Sequence, residues 1–269
     1  MAGKLVVSEI NIYPVKSLGG IRVTSAEVLR KGLQYDRRWM LVDEDNIFLT
    51  QRIHTKMALF RMSINDNGFR VSFGGQHLDI PQIVEGDPFR ARIWDDEVMV
   101  REVGTQHSEW FSKNLDIRCR LVAFPEENER PVDERYRIAN DHVSLADAYP
   151  LMMIGQSSLD DLNERLESPV PMNRFRPNVV FTGGDPFDED YLGRFNIGSV
   201  SFAGVKPCAR CVLITVDQET GIKGKEPLAT LSTYRRQESK VLFGQNIIPV
   251  TTGKISIGDE IIINNSGDN

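Results

Sequence analysis

The chain is poor in the residues that hold small secreted or metal-knit domains together: 269 residues carry three cysteines and four histidines. An odd and small cysteine count excludes a disulfide framework. A structural zinc site, which draws on four Cys or His ligands and usually a second Cys pair, is also disfavoured. No apolar run reaches the ~18 residues that a spanning helix needs. Met1-Ala2-Gly3-Lys4 leads straight into an apolar alternation, without the h-region of a signal peptide. The expectation is a cytoplasmic protein with reduced thiols and no membrane association. A basic excess is missing too. The balance of 32 Lys and Arg against 38 Asp and Glu, net -6, disfavours a partner such as a nucleic acid duplex. A local basic pocket for one anionic ligand stays compatible with that charge.

What is present is ordinary for a soluble globular protein, 41% hydrophobic and 26% charged. The length suffices for two modest domains, each with its own core. Short β-like runs broken by turn signals fill the first part: Leu5 to Tyr13, Ile21 to Leu29, Arg38 to Val42 and Ile47 to Thr50. Asn65-Asp66-Asn67-Gly68 and Gly74-Gly75 then divide a meander. Closing that antiparallel pattern into a barrel covers its edges. A short helix is expected after Gly104-Thr105, with Trp110, Phe111 and Leu115 on one side. The proline-bracketed run from Pro125 to Pro131 reads as a surface linker. Beyond it, Ser157 and Asp160 form a capping box for a helix whose Leu159, Leu162 and Leu166 share a face. Further β-like runs follow at Asn178 to Thr182, Ile197 to Phe202, Cys211 to Val216, Asn246 to Val250 and Lys254 to Ile263. The expected class is mainly β with a few helices (α+β), divided into residues 1–125, an antiparallel barrel-like domain, and residues 126–269.

The densest chemistry lies in Lys206-Pro207-Cys208-Ala209-Arg210-Cys211, where cations flank two thiols and favour the thiolate. Four readings compete. A thioredoxin-type site would place the pair at a helix N-terminus, whereas a strand-like run follows here. Zinc lacks a second ligand pair. Two core cysteines packing as small hydrophobes would be the plainest outcome, and a single-thiolate metal or cofactor site is the alternative.

A second set of polar residues sits at strand mouths. Lys16-Ser17 follows Tyr13-Pro14-Val15 and precedes Gly19-Gly20, a loop able to bring amides and a cation near an anion. Arg37 lies in Tyr35-Asp36-Arg37-Arg38-Trp39, and Arg176 and Asn178 flank Pro177. Singly, each is an ordinary solvated charge. Together they suit a phosphate-bearing organic cofactor held between domains.

Taken in order, Tyr13-Pro14-Val15-Lys16-Ser17, Asp36-Arg37, Phe175-Arg176-Pro177-Asn178, Cys208-Ala209-Arg210-Cys211, Thr215-Val216-Asp217, Lys225-Glu226-Pro227-Leu228 with Tyr234-Arg235, and Phe243-Gly244-Gln245 resemble the MOSC-domain proteins. The branch in question carries an N-terminal MOSC β-barrel domain and includes the mitochondrial amidoxime reducing component and bacterial relatives. The resemblance spans nearly the whole chain and implies that residues 1–125 are that barrel and 126–269 the MOSC domain.

It also implies an oxidoreductase that uses the molybdenum cofactor to abstract oxygen from N-hydroxylated small molecules: amidoximes, hydroxylamines and N-hydroxylated base analogues. By similarity, Cys211 is the metal ligand, with Arg210 beside it stabilising the anionic centre. Lys16, Ser17, Arg37, Asp147, Arg176, Asn178 and Cys208 are cofactor contacts. No residue is assigned as the proton donor; His142 is a candidate only through its nearness in sequence to Asp147. Pyridoxal phosphate is not expected. Ala209 stands where relatives often have serine, and Tyr149 where some have a small hydroxyl residue. After Ile263 only 264–269 remain, so no ferredoxin-type domain and no iron-sulfur cluster is expected. Electrons are then expected from a separate donor, a flavin reductase or small electron carrier. The competing function is a noncatalytic carrier of molybdenum cofactor, or of sulfur as a persulfide on Cys208 or Cys211.

Overall fold

Strand dominates the computed structural model, which describes residues 3–139 and 141–264. The outermost ends of the two expected domains, 1–2 and 265–269, lie outside the described residues. The mainly β, α+β class holds. Among the described residues three α-helices, α1 (Thr105–Leu115), α2 (Gln156–Arg165) and α3 (Leu228–Tyr234), accompany curled, mainly antiparallel sheets.

The largest sheet is centred on two long strands, Val200–Arg210 and Lys240–Pro249, paired antiparallel. On one side lie Arg194–Ile197 and Ile261–Ile263, and on the other Leu151–Gly155, Val179–Thr182, Val6–Ile12 and Ile21–Val23. The first strand of the chain is therefore woven into a sheet built from its second half, with Ile10 opposite Val179. A smaller sheet repeats that exchange, pairing Ser25–Leu29 with Gly253–Ser256. The middle of the first half forms a four-stranded sheet, Trp39–Val42, Arg120–Ala123, Asp96–Glu102 and Phe89–Ile93. Beside it is the meander Arg61–Asn65, Gly68–Phe73 and Gln76–Pro81.

One apolar cluster runs through both halves, joining Phe60, Phe69 and Phe111 to Phe181, Phe195 and Phe202. A second packs Leu159 and Leu162 of α2 over Phe175 and Phe243, whose rings lie 4.4 Å apart. Each such fully buried ring contributes roughly 1.5–3 kcal/mol, enough to fix the loops that these strands carry.

Several expectations are corrected. Cys211 to Val216 is no strand: the Val200–Arg210 strand stops at the Arg210–Val241 pair, because Lys240 next turns back onto Gln237. With no ladder left, Val212–Thr215 closes a 3-10 turn in which Thr215 Oγ1 donates to the Val212 carbonyl at 2.8 Å. Ile197 to Phe202 is a hairpin bend, with Ile197 paired to Val200. Ile47 to Thr50 makes only isolated bridges. The capping box fails because α2 starts after Gly155, leaving Ser157 Oγ inside the first turn without a partner among the described residues. The run 125–131 lies mostly at the surface, with Arg130 as its buried exception, 5% exposed and paired with Asp96. Leu151–Gly155 carries no alternation to announce it, since all its residues are buried, and it runs parallel to Val179–Thr182 across α2. Among the described residues, no helix is long and apolar enough to cross a membrane.

Candidate functional site

The interweaving of the two halves opens a cleft of about 330 Å³ where their strand mouths meet. Lys16, Ser17, Arg37, Asp147, Arg176, Asn178, Cys208, Arg210 and Cys211 all line it. His142 does not. Its imidazole is buried, 3.8 Å from Glu129, so sequence proximity to Asp147 misled.

Three of the lining residues hold a left-handed backbone without being glycine: Ser17 at φ 69°, Arg37 at 51° and Arg176 at 57°. Each such conformation costs on the order of 1 kcal/mol, and such strain clusters at functional sites. Two of these residues bring their guanidiniums to one aromatic ring. Arg37 and Arg176 each lie 4.3 Å from the Tyr13 ring centroid. The Tyr13 hydroxyl donates to the Pro177 carbonyl, and its backbone amide donates to Asp36. Burial pushes the Tyr13 hydroxyl up to about 12 against the pull of the two arginines, so it stays neutral between them. Gly20 is required for this packing, since a Cβ there would fall 2.5 Å from the Tyr13 ring.

The two arginines differ in their partners. Arg37 Nη1 donates to both Asp36 oxygens at 2.8 and 2.6 Å and to Asn178 Oδ1 at 3.1 Å. Arg176 is 7% exposed over the whole residue, and its guanidinium takes no carboxylate or carbonyl acceptor among the described residues. Burial, the dominant influence, lowers its pKa to about 10, yet it stays protonated at neutral pH. A buried cation without an acceptor is costly unless an anion completes it.

Lys16 lies alongside. Its ammonium donates to the Leu145 carbonyl at 2.8 Å and to Asp147 Oδ1 at 2.5 Å, and burial pushes its pKa down to about 8 against the pull of Asp147. Burial by itself would raise the Asp147 carboxyl. Lys16 and Arg52 outweigh it and hold that carboxyl well below the usual range. Half of the Asp147 side chain faces the open cleft, so solvent screens the pair.

At the other end stand the thiols. Arg210 Nη2 donates to the Phe175 carbonyl at 2.8 Å, and its Nη1 sits 3.2 Å from Cys208 Sγ. The cation expected beside Cys211 is thus anchored on the other cysteine. Cys211 Sγ makes no hydrogen bond among the described residues and lines the cleft where the strand ends. Lys206 faces the same opening, its ammonium 4.0 Å from the Tyr136 ring and 5.7 Å from that of Tyr149.

Sequence reasoning missed Thr50, Met152, Asn246 and above all Arg52 as cleft residues. Arg52 Nη2 reaches Asp147 Oδ2 at 2.6 Å, and its guanidinium stacks 4.4 Å from the Trp94 ring. No local motif surrounds it.

The arrangement can grip an anion at one end and offer soft thiolate sulfur at the other. Among the described residues no three His, Cys, Asp or Glu side chains gather to hold a metal by themselves. A phosphate-bearing cofactor that carries its own metal therefore fits the donor set: Arg176 lacks an anion, and Cys211 offers an unengaged sulfur.

Comparison with known proteins finds two domain families and a set of relatives that cover most of the chain. Residues 140–262 match the MOSC domain family and residues 4–118 the MOSC N-terminal beta barrel domain family. Mitochondrial amidoxime-reducing component 1 of Mus musculus is 33% identical over 96% of this chain and 82% of its own length. Component 1 of Homo sapiens is 32% identical over 96% of this chain and 82% of its own. Human component 2 is 34% identical over 95% of this chain and 82% of its own.

Proposed function

The chain belongs to the MOSC-domain proteins with an N-terminal MOSC β-barrel, the family of the mitochondrial amidoxime-reducing components, and on that premise we propose that it is a cytoplasmic, molybdenum-cofactor-dependent reductase of N-hydroxylated small molecules. The observation that carries the reading is the cleft itself, with a buried, acceptor-free Arg176 at one end and an unengaged Cys211 thiol at the other.

In this reading residues 1–125 form the barrel domain and 126–269 the MOSC domain, and the cofactor lies between the elements they share. Arg176, Arg37, Lys16 and Ser17 hold its phosphate and pterin. Asn178 keeps Arg37 in place through the 3.1 Å hydrogen bond. Asp147 orients Lys16 at the anion's site and holds Arg52 at the cleft wall beside it. Cys211 supplies a thiolate to the metal. Arg210 fixes Cys208 at the edge of the cleft and adds positive potential there. When bound, the cofactor supplies the two-electron metal centre at which the N-hydroxy group is reduced. Lys206, Tyr149 and Ala209 form the open side of the cleft, where an uncharged or anionic substrate can enter beside the thiols. Electrons come from a separate protein.

The test is reduction of benzamidoxime to benzamidine by reduced methyl viologen. Cys211→Ala abolishes it, and Cys208→Ala lowers it without abolishing it. The reverse order would assign the metal to the other thiol. Stoichiometric persulfide on either cysteine, with no turnover by wild-type protein, would replace the reductase with a sulfur carrier.

A further inference from the structure

We propose that the lip of the cleft next to Cys211 is a docking surface for an acidic electron-carrier protein. The proposal rests on the reductase reading above. Converting N–OH to N–H breaks the N–O bond, consumes two electrons and two protons and releases water, so repeated turnover needs a reduced partner.

The lip is built by two segments packed together. From Cys211 the chain enters the Val212–Thr215 turn and then a tight hairpin, closed by Asp217 N donating to the Ile222 carbonyl at 2.8 Å and by a bridge from Val216 to Lys223. That hairpin lies on the Thr55–Leu59 turn. Gly221, at φ +69°, sits where a Cβ would be 3.5 Å from Leu59 and from the Thr55 carbonyl. The Lys223 ammonium lies 3.5 Å from the carbonyl of Arg52, itself a cleft residue.

The packing leaves three aliphatic side chains in water on this lip: Ile53 at 74% exposure, Ile222 at 69% and Val212, the residue after Cys211, at 41%. Lys56, Lys223 and Lys225 are exposed among them, and none has a carboxylate partner among the described residues. Two of the neighbouring carboxylates are paired with arginines and the third is held by a backbone amide. Glu219 pairs with Arg61 at 2.7 Å and Asp217 with Arg174 at 2.7 Å, while Glu226 accepts from the Thr230 amide. On a chain of net charge -6 this lip is a local reversal of sign.

Exposed aliphatic side chains ringed by unpaired cations have the make-up of a protein-contact site, apolar at the centre with charge at the rim to steer the encounter. The charge sign selects the partner: an acidic carrier is repelled by the net charge of the chain and drawn to this lip. There it comes within one residue of Cys211.

The test compares donors on the full-length, cofactor-loaded protein. Reduced flavodoxin and reduced cytochrome b5 serve as acidic protein donors, reduced methyl viologen as the small donor, and benzamidoxime as substrate. At least one protein donor supports turnover, and its kcat/KM falls roughly tenfold in the Lys223→Glu/Lys225→Glu double variant, in Ile222→Asp, and in wild type as salt is raised. The viologen-driven rate is unchanged in both variants. Turnover with viologen but with neither protein donor would overturn the proposal, as would protein-driven turnover indifferent to these substitutions. Binding to phosphatidylserine vesicles that the variants lose, with protein-driven turnover intact, would reassign the lip to a membrane and overturn it likewise. No viologen-driven turnover by wild type would instead strike the reductase reading itself.

Discussion

Arg130 and Arg176 are both almost wholly buried, at 5% and 7% exposure, yet the structure treats them in opposite ways. Arg130 is saturated. It pairs with Asp96 at 2.7 Å and donates to the carbonyls of Ser144 at 2.9 Å, Ala146 at 2.6 Å and Asp147 at 3.3 Å. In doing so it ties the segment before the MOSC match to the first-half sheet and shapes the loop that presents Asp147. Arg176 has an aromatic ring on one side and an open cleft on the other. The first pattern is that of a structural cation and the second that of a binding cation, whose missing partner arrives with the ligand. Glu189 extends the contrast to a carboxyl. It is fully buried away from the cleft, accepts from Ser158 Oγ at 2.7 Å, and has its other oxygen unpartnered among the described residues. A carboxyl in that position can take up a proton, and burial pushes it up to about 7. Arginine has no such escape at neutral pH, so Arg176 keeps a charge that an anion in the cleft would pair.

The sharpest way to break the comparison is to remove both arginines in turn from cofactor-free protein. Arg130→Met lowers unfolding free energy by about 2–3 kcal/mol, below the full value for a buried pair because Asp96 is half exposed. Arg176→Met raises it, by at most about 3 kcal/mol, since its removal ends the cost expressed in the depressed pKa. Urea titration gives the sign of each. Two losses of similar size would mean that Arg176 is an ordinary structural residue.

A smaller effect of the same sign is expected at Glu189. Its folded-state pKa lies above the unfolded value of 4.5, so the folded form holds the proton more tightly and wild-type stability declines as pH rises from about 4.5 through about 7. Glu189→Gln should therefore gain about 1–3 kcal/mol over wild type at pH 8 and lose most of that advantage at pH 5. A gain independent of pH would point to packing instead of charge.

The smallest effect concerns Lys16, where the depressed pKa of about 8 makes the charge itself conditional. The ammonium is protonated below that pH, so affinity for an anion falls as pH rises through it, while the folding contribution moves the other way. Inorganic phosphate, titrated by thermal shift at pH 7 and pH 9, should bind a few fold more weakly at the higher pH. Lys16→Arg, which keeps its charge, should flatten the difference.

How much of this was legible in the sequence depended on whether a signal was local. Lys16-Ser17, Arg37, Arg176 and the two cysteines stand in short motifs at strand mouths, and the structure gathers them into one cleft. Arg52 has no such motif, and the carboxylate it serves lies 95 residues away. The run after Cys211 has the composition of a strand, but strand formation needs a ladder and the neighbouring strand has already turned away. Leu151–Gly155 is buried throughout, so alternation could not reveal it. The pairing of the first strand with Val179–Thr182 is a long-range choice that no local pattern encodes.

The central claim, that this cleft is completed by an anionic molybdenum cofactor held through Arg176, is tested most directly by measuring molybdenum and pterin per chain. Wild type and Arg176→Met would both be purified from a host that makes the cofactor. The account predicts near-stoichiometric metal and pterin in wild type, with both lost from a variant that remains folded. A variant that keeps its full complement, or a wild type that holds neither, would contradict it.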